Sequence, residues 1–427
     1  MNSTVEFSNL HLNDGERSML QGELGPATAL AMRILARMAP LYGADRFIDV
    51  TRAHIDGIVY EGNAGLAFAE RLADLGGQVR VPTSLNVMSM DRTNWRQLGQ
   101  DPSFATNARR LGSAYVRMGA VPTFTCAPYQ TEWAPSFGEQ IAWSESNAVA
   151  YANSVIGARS NRYGDYLDIS CALIGRVPAS GLHLTENRRG THLFRLDRIP
   201  QRLQERDEFY PVLGYLLGQS VTNGVPVVDG LSVMPASDQL KSLAAAAASS
   251  GAIALFHLVG VTPEAPTLRE AFQGAPVPEA ELITLERLRK IRGMLTTATA
   301  DQVDVVAFGS PHASLQECLQ LAELMDGRTA RVGMQVFVTT SRGVKEILSR
   351  NGALAKIEAF GTSVVADTCI AVAPLVRPGA RVLMTNSGKY AHYGPGIIGV
   401  ESIYGSTEEC VQAAITGRPD VDDSVWH

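Results

Sequence analysis

Two cysteines in this chain follow short apolar, β-prone approaches: Cys126 in "TFTCAPY" and Cys369 in "SVVADTCIA". A thiolate can serve as nucleophile or metal ligand, and the carboxyl end of a strand is where an α/β fold displays such a group. Cys171, Cys318 and Cys410 bring the total to five, an odd number at wide spacing, so no disulfide framework is indicated. Taken singly, each reads first as a small buried hydrophobe. Cys171 and Cys410 stand in helix-like contexts ("DISCALIG", "STEECVQAAITG") and are read as structural. A second group consists of donors. "ARSNRYGD" offers Arg159, Asn161 and Arg162, and "TENRRG" adds Arg188. Such a set can grip a carboxylate bidentately, or it can be an exposed basic loop. "VPTSLNV" places Thr83, Ser84 and Asn86 after a strand, where they could hydrogen-bond a small polar substrate or cap the next helix. His54, His183, His257 and His312 are scattered singly; a lone histidine is more often simply hydrogen-bonded, and His312 is the one retained as a candidate.

Elements must hold these residues in place. The stretch 12–43 reads helical, with apolar residues at Leu30, Met32, Ile34, Leu35 and Met38, a cap at Asn13 or Asp14 and an end at Gly43. Strand–helix–strand order follows. "VPVVDGLSV", "SDQLKSLAAAAASSG" and "AIALFHLVGV" form one such unit, and "DVVAFGS", "SLQECLQLAELMDG" and "VGMQVFVTTS" another. Strands apolar throughout, separated by helices, indicate parallel sheets covered on both faces. The expected architecture is α/β and multi-lobed: a helical segment over 1–65, a first α/β lobe over 66–225 and a doubly wound lobe over 226–427. The strand ends then carry "GSPHAS", "TTSRG", "ADTC" and "TNSGKYAHY", clustered where open parallel sheets make a crevice.

Composition narrows the classes. A chain of 427 residues exceeds one ordinary core, and 45% apolar with 19% charged residues is globular. The net charge of −6, from 43 acids and 37 bases without long runs of either sign, speaks against a nucleic-acid groove or an anionic-membrane surface. No apolar run matches a bilayer span, and "MNSTVEFSNLHLNDGE" lacks a signal-peptide pattern, so a cytoplasmic protein is expected. The P-loop, the dinucleotide fingerprint, CxxC, GxSxG and HExxH are all missing.

Eight phrases in order resemble the catalytic, large-subunit part of the aconitase X family. They are "VPTSLNVMSMD", "TFTCAPY", "GARSNRYGD", "GRVPASGLHLTENR", "SSGAIALFHLVGVTPEAP", "GSPHASLQE", "ADTC" and "TNSGKYAHY". The resemblance implies an aconitase-like fold with a cleft between lobes and a hydro-lyase that uses an iron–sulfur cluster. Family enzymes dehydrate cis-3-hydroxy-L-proline or mevalonate 5-phosphate. It also implies a small swivel domain, which no region here supplies, so a small partner subunit is expected.

By the resemblance, Cys126 and Cys369 are cluster ligands. Where some relatives read G-C-P-H, this chain has Gly309-Ser310-Pro311-His312. A hydroxyl is a poor cluster ligand, which favours a 2Fe-2S centre over 3Fe-4S or 4Fe-4S, with Ser310 and Cys318 as possible neighbours. The resemblance also makes Ser387 a base, with Lys389 tuning it or binding the substrate carboxylate, while Asp367 and Thr368 would hydrogen-bond the Cys369 sulfur. The hydroxyproline substrate is favoured over the phosphorylated one because Ser310 departs from the pattern and no phosphate nest is visible. A non-catalytic iron–sulfur or redox-sensing protein would have no use for "TNSGKY" or "ARSNR". A metal-free α/β binder would be colourless.

Overall fold

The computed structural model describes residue 7 and residues 9–427. Residues 1–6 and 8, part of the stretch read as lacking a signal peptide, lie outside the described residues. The helical stretch near the N-terminus resolves into two helices, Asp14–Gln21 and Pro26–Leu41. Asn13 closes the first with a reciprocal cap: its side chain accepts from the Glu16 N–H at 2.9 Å, and the Glu16 carboxylate accepts from the Asn13 N–H at 2.8 Å.

Three parallel sheets follow. The first is formed by β2 (Arg52–Ile55), β3 (Thr83–Leu85) and β4 (Ile141–Trp143) in the order β3-β2-β4, beside an antiparallel pair of β1 (Phe47–Asp49) and β5 (Arg176–Pro178). The second contains β6 (His192–Leu196), β7 (Pro226–Asp229), β8 (His257–Leu258) and β9 (Ala280–Ile283) in the order β8-β7-β6-β9. The third contains β10 (Val305–Ala313), β11 (Gln335–Thr340), β12 (Thr362–Ala366), β13 (Val382–Thr385) and β14 (Glu401–Tyr404) in the order β12-β11-β10-β13-β14.

The doubly wound sheet expected over 226–427 thus distributes its strands between two sheets. The boundary expected at 225/226 falls between strands that pair along their length, His192 opposite Pro226 through Arg195 opposite Asp229. Apolar strands carry no mark of which neighbour they will pair with, so the sequence alone does not separate these sheets.

In the third sheet the alternation of β10 sorts Val306 and Phe308 to one face and Val305 and Ala307 to the other. The first face packs on Cys318, Leu321, Leu348 and Ile357 from the crossover helices; the second packs on Ile370, Leu375 and Tyr390. The parts of the chain built on the first, second and third sheets are its first, second and third domains; in the second, helices Phe209–Ser220 and Ser237–Gly251 pack against each other through small residues. A Cβ on Gly251 would stand 1.8 Å from the Gly218 carbonyl oxygen, which explains glycine there and the alanine run 244–248 beside it. Among the described residues no helix is long and apolar enough to cross a membrane.

Candidate active site

The third sheet winds outward from β10 through β11 to β12, then returns to β13 and β14 on the other side of β10. Its switch point lies between β10 and β13, and ligands of open parallel sheets bind beyond the carboxyl ends of such strands. Two sequence-marked loops meet there. β10 runs through Gly309, Ser310, Pro311 and His312, and β13 is followed by Asn386, Ser387, Gly388 and Lys389. Gly309 adopts φ 92, and a Cβ there would stand 2.1 Å from the Thr339 carbonyl oxygen, so the turn requires glycine. Ser387 joins the loops: its hydroxyl donates to the Ser310 carbonyl and accepts from the Tyr390 N–H at 3.1 Å, capping helix Gly388–Tyr393. The hydroxyl expected as a base is therefore engaged on both sides. A cavity of about 280 Å³ opens beside this junction, lined by Ser310, Ser387 and Lys241 among others.

The two marked cysteines share this region. The Cys126 sulfur accepts from the His312 N–H at 3.2 Å, which ties the first domain to the β10 loop. Cys369 contacts the Tyr390 hydroxyl and the backbone N–H groups of Ala371 and Val372. The two thiols interact electrostatically, and each also interacts with Lys389. Burial pushes the Cys126 thiol up to about 12, with the Glu145 carboxylate adding to the effect, and burial likewise raises Cys369. Any metal held here must displace both protons.

Lys389 reaches across from the third domain to Glu145 of the first, with Nζ 2.6 Å from Oε1. Glu145 is fixed at the start of helix Ser146–Tyr151, where its other oxygen accepts from the Ala148 N–H at 2.7 Å and from the Asn147 side chain. Asn147 in turn donates to the Cys126 carbonyl at 3.1 Å. Burial lowers the lysine's proton affinity, but the adjacent Glu145 carboxylate outweighs it and holds the ammonium above its usual range. The same charge keeps Glu145 ionised against the effect of burial.

Strand register extends the site. His54 lies opposite Ser84 on one side and Trp143 on the other. Two residues further along the three strands, on the same face, come Asp56, Asn86 and Glu145. The Asn86 amide nitrogen donates to the Asp56 carboxyl, and the Ser84 hydroxyl lies 2.8 Å from His54 Nδ1. Burial raises Asp56 well above the usual carboxyl range, with Glu145 and Asp165 acting in the same direction. Sequence reasoning placed Ser84 and Asn86 as candidates but missed Asp56 and Glu145. Both are acids just beyond a short buried strand, a signal that becomes specific only with the pairing.

Other expected residues go elsewhere. Arg159 lies opposite Gln140, just before β4, at the amino end of the first sheet and away from the Asp56 edge. Its guanidinium donates to the His183 carbonyl at 3.3 Å and to Thr185 at 2.8 Å. Asn161 braces Ser180 and Leu182, and Arg162 is exposed. Arg188 is 1% exposed, with Nε 2.9 Å from Glu264 and further bonds to the backbone of Asn153 and Leu182. These arginines staple chain segments and are not assembled with the cysteines, because an arginine-rich phrase does not reveal which end of a strand it will flank. Thr83 donates to the Val81 carbonyl at 2.8 Å. Cys318 packs in the core on the opposite face of the third sheet from Cys369, as its helical spacing dictates. His312 is neutral, pushed by burial down to about 4; its ring bridges Thr125 at 3.3 Å and the Thr368 carbonyl at 3.1 Å. Its role here is to hold the two cysteine loops together. The Asp367 carboxylate is occupied by Arg92, at 3.0 Å, and Arg342, so it is an inter-segment clasp and not a partner of the sulfur.

The donor set fits a small metal centre held in part by this chain. The Cys126 sulfur and the backbone carbonyl next to Cys369 both bond His312, and the buried Thr368 hydroxyl next to Cys369 has no hydrogen-bond partner. Among the described residues no group of three or more His, Cys, Asp or Glu side chains could hold a metal. A third ligand would have to be Ser310 or a group from outside the chain.

Three parallel sheets, with two buried cysteines near the switch point of the third, define a multi-domain α/β protein. Comparison with known proteins gives the family. Models of the first, second and third domains of aconitase X match residues 9–186, 190–293 and 303–416, and the chain belongs to the aconitase X family. It is 46% identical to the cis-3-hydroxy-L-proline dehydratase of Pseudomonas aeruginosa over 96% of this chain and 71% of that protein. It is 37% identical to the phosphomevalonate dehydratase large subunit of Methanocaldococcus jannaschii over 94% of this chain and 100% of that one. The crystal structure of Thermococcus kodakaraensis aconitase X in its holo-form superposes with a TM-score of 0.84 at 33% identity, covering 95% of this chain and 100% of that chain. The mixed α/β fold with parallel sheets flanked by helices is thus as expected.

Proposed function

We propose that this enzyme is a hydro-lyase that dehydrates cis-3-hydroxy-L-proline to Δ1-pyrroline-2-carboxylate, as the large subunit of a cytoplasmic complex with a small swivel subunit. The observation that carries the reading is that the Cys126 and Cys369 loops are both bonded to His312, while Lys389 crosses to Glu145 next to the Asn147 side chain that holds Cys126. Similarity at 42–46% identity to two cis-3-hydroxy-L-proline dehydratases supports the substrate, and the phosphomevalonate dehydratase large subunits, at lower identity, supply the alternative. Those relatives are named large subunits, which supports a small partner.

Cys126 and Cys369 would hold an iron–sulfur centre, a 2Fe-2S cluster being favoured because Ser310 replaces a thiol. Such a centre supplies a Lewis acid for a poor hydroxide leaving group. Lys389, kept charged by Glu145, would bind the substrate carboxylate and so orient the α-carbon. Burial of the thiols and of His312 excludes water from the ligand side of the crevice. Ser387 and His312 act by holding the β10 loop against the cysteines.

The test is product formation by the anaerobically purified chain with its small subunit, given cis-3-hydroxy-L-proline or 5-phosphomevalonate. Turnover of the hydroxyproline alone is expected. Turnover of the phosphorylated substrate alone would overturn the assignment.

A further inference from the structure

We infer that Arg92 is the positioning residue that couples the two cysteine loops across the domain boundary and so sets the separation of Cys126 and Cys369. This rests on the reading above, in which the two thiols hold the metal centre, and deepens it. The loops repeat one pattern: Phe124-Thr125-Cys126 and Asp367-Thr368-Cys369 each place a threonine before the thiol. The other three cysteines follow Ser170, Glu317 and Glu409 inside helices Leu167–Ile174, Leu315–Met325 and Thr407–Thr416. Phe124 and Asp367, two residues before their cysteines, both adopt left-handed backbone, with φ 43 and 67. That conformation is disfavoured for any residue with a side chain, most of all a bulky one, and persists where the surroundings impose it.

One side chain touches both. The central carbon of the Arg92 guanidinium stands 4.5 Å from the centroid of the Phe124 ring, and Arg92 Nε donates to the Asp367 carboxylate at 3.0 Å. Stacking uses the flat face of the guanidinium and hydrogen bonding its edge, so the two contacts coexist. The segment that carries Arg92 is itself tied to each loop. The Leu85 carbonyl accepts from the Thr125 N–H at 3.3 Å, the Met88 N–H donates to the Asp367 carbonyl at 2.9 Å, and Asp91 accepts from the Ala366 N–H at 3.1 Å. His312 spans the threonines of the two loops, and Arg92 spans the residues before them. A centre held by two thiols from separate domains needs its ligands fixed to within about 0.5 Å, which such local ties supply. Asp367 keeps a cation when Arg92 is replaced, because Arg342 also donates to it at 3.2 Å. The Arg92 side chain is 38% exposed, so its loss opens no core cavity.

The holoenzyme, assembled anaerobically with its small subunit and reduced with dithionite, is mixed with ferrozine, and iron release is followed by absorbance. Visible circular dichroism reads the geometry of the bound centre. Arg92→Met is expected to release iron at least tenfold faster and to alter the visible bands while still melting in one transition. Phe124→Leu is also expected to speed release, and the double variant to be no faster than the faster single one, because both remove the same link. Cys318→Ser, destabilised in the opposite core, should melt earlier with release within twofold of wild type. Wild-type release and bands in Arg92→Met overturn the inference, as does unchanged release in Phe124→Leu or a double variant whose effects multiply. An equal acceleration in Cys318→Ser also overturns it, since release would then follow general stability. Full iron in Cys126→Ser and Cys369→Ser would sink the ligand assignment itself, a result distinct from all of these.

Discussion

Lys389 and Glu145 form a buried ion pair, 2.6 Å apart, that joins the loop after β13 to the end of β4 and so fixes the third domain against the first at the candidate site. Both side chains are nearly enclosed, at 12% and 5% exposure, so neither tolerates loss of the other. Lys389→Met leaves a buried carboxylate without its cation and should cost about 3–5 kcal/mol. A fall in denaturation midpoint together with loss of turnover is the expected result; Glu145→Gln, which keeps the cap oxygen, should lose stability less. Unchanged melting of Lys389→Met would show that the pair does not form.

The cysteines should separate into two classes. Cys126→Ser and Cys369→Ser are expected to lose most of the bound iron and the visible absorbance of the anaerobically purified chain. Cys318→Ser and Cys410→Ser replace thiols buried in the opposite core and should keep the colour while melting earlier. Iron per chain, by colorimetric assay, decides. Full iron in Cys369→Ser would remove that residue from the ligand set.

Ser387 caps a helix and bonds the Ser310 carbonyl. Loss of a serine cap costs about 1 kcal/mol. Ser387→Ala is therefore expected to keep its iron, melt slightly earlier and retain measurable turnover with an altered KM. Complete loss of turnover with intact iron and stability would instead make the hydroxyl a base.

His183 gives a prediction about pH. Its Nε2 accepts from the Tyr163 hydroxyl at 2.5 Å and its Nδ1–H donates to Gln140 at 2.6 Å, while burial lowers it to about 3, helped by Arg188 and Arg159. A histidine lowered in the folded state contributes stability that is present above its ordinary value near 6.5 and is lost as pH falls. Between pH 6.5 and 5 this one group should cost about 2 kcal/mol. Urea midpoints at the two pH values measure it, and His183→Gln should flatten the dependence. An equally steep loss in the variant would place the acid sensitivity elsewhere.

Gly251 tests the closest helix contact. Gly251→Ala forces a methyl against the Gly218 carbonyl and should destabilise by roughly 1–3 kcal/mol, read as a lower urea midpoint. Unaltered stability would mean that the two helices separate freely.

Local chemistry was legible from the amino acids alone. The cap of the first helix is narrowed to Asn13 or Asp14 by residue type alone, and the structure gives it to Asn13 through its reciprocal bonds with Glu16. The apolar runs of β10 through β13 read as buried strands, and the polar phrases at Cys369 and Ser387 do follow the ends of β12 and β13, whereas the Ser310 phrase lies within β10, which continues to Ala313. Those properties depend on neighbours a few residues away, where side-chain period and turn chemistry act directly. Only the folded chain decided that Cys126 reaches His312, that Glu145 receives Lys389 and that Asp56 accepts from the Asn86 amide. It likewise turned Arg159 and Arg188 away from the crevice and gave β7 to β6. The reason is that strand partners and domain contacts are selected by the total area and charge buried across the whole molecule, a quantity no short stretch of sequence contains.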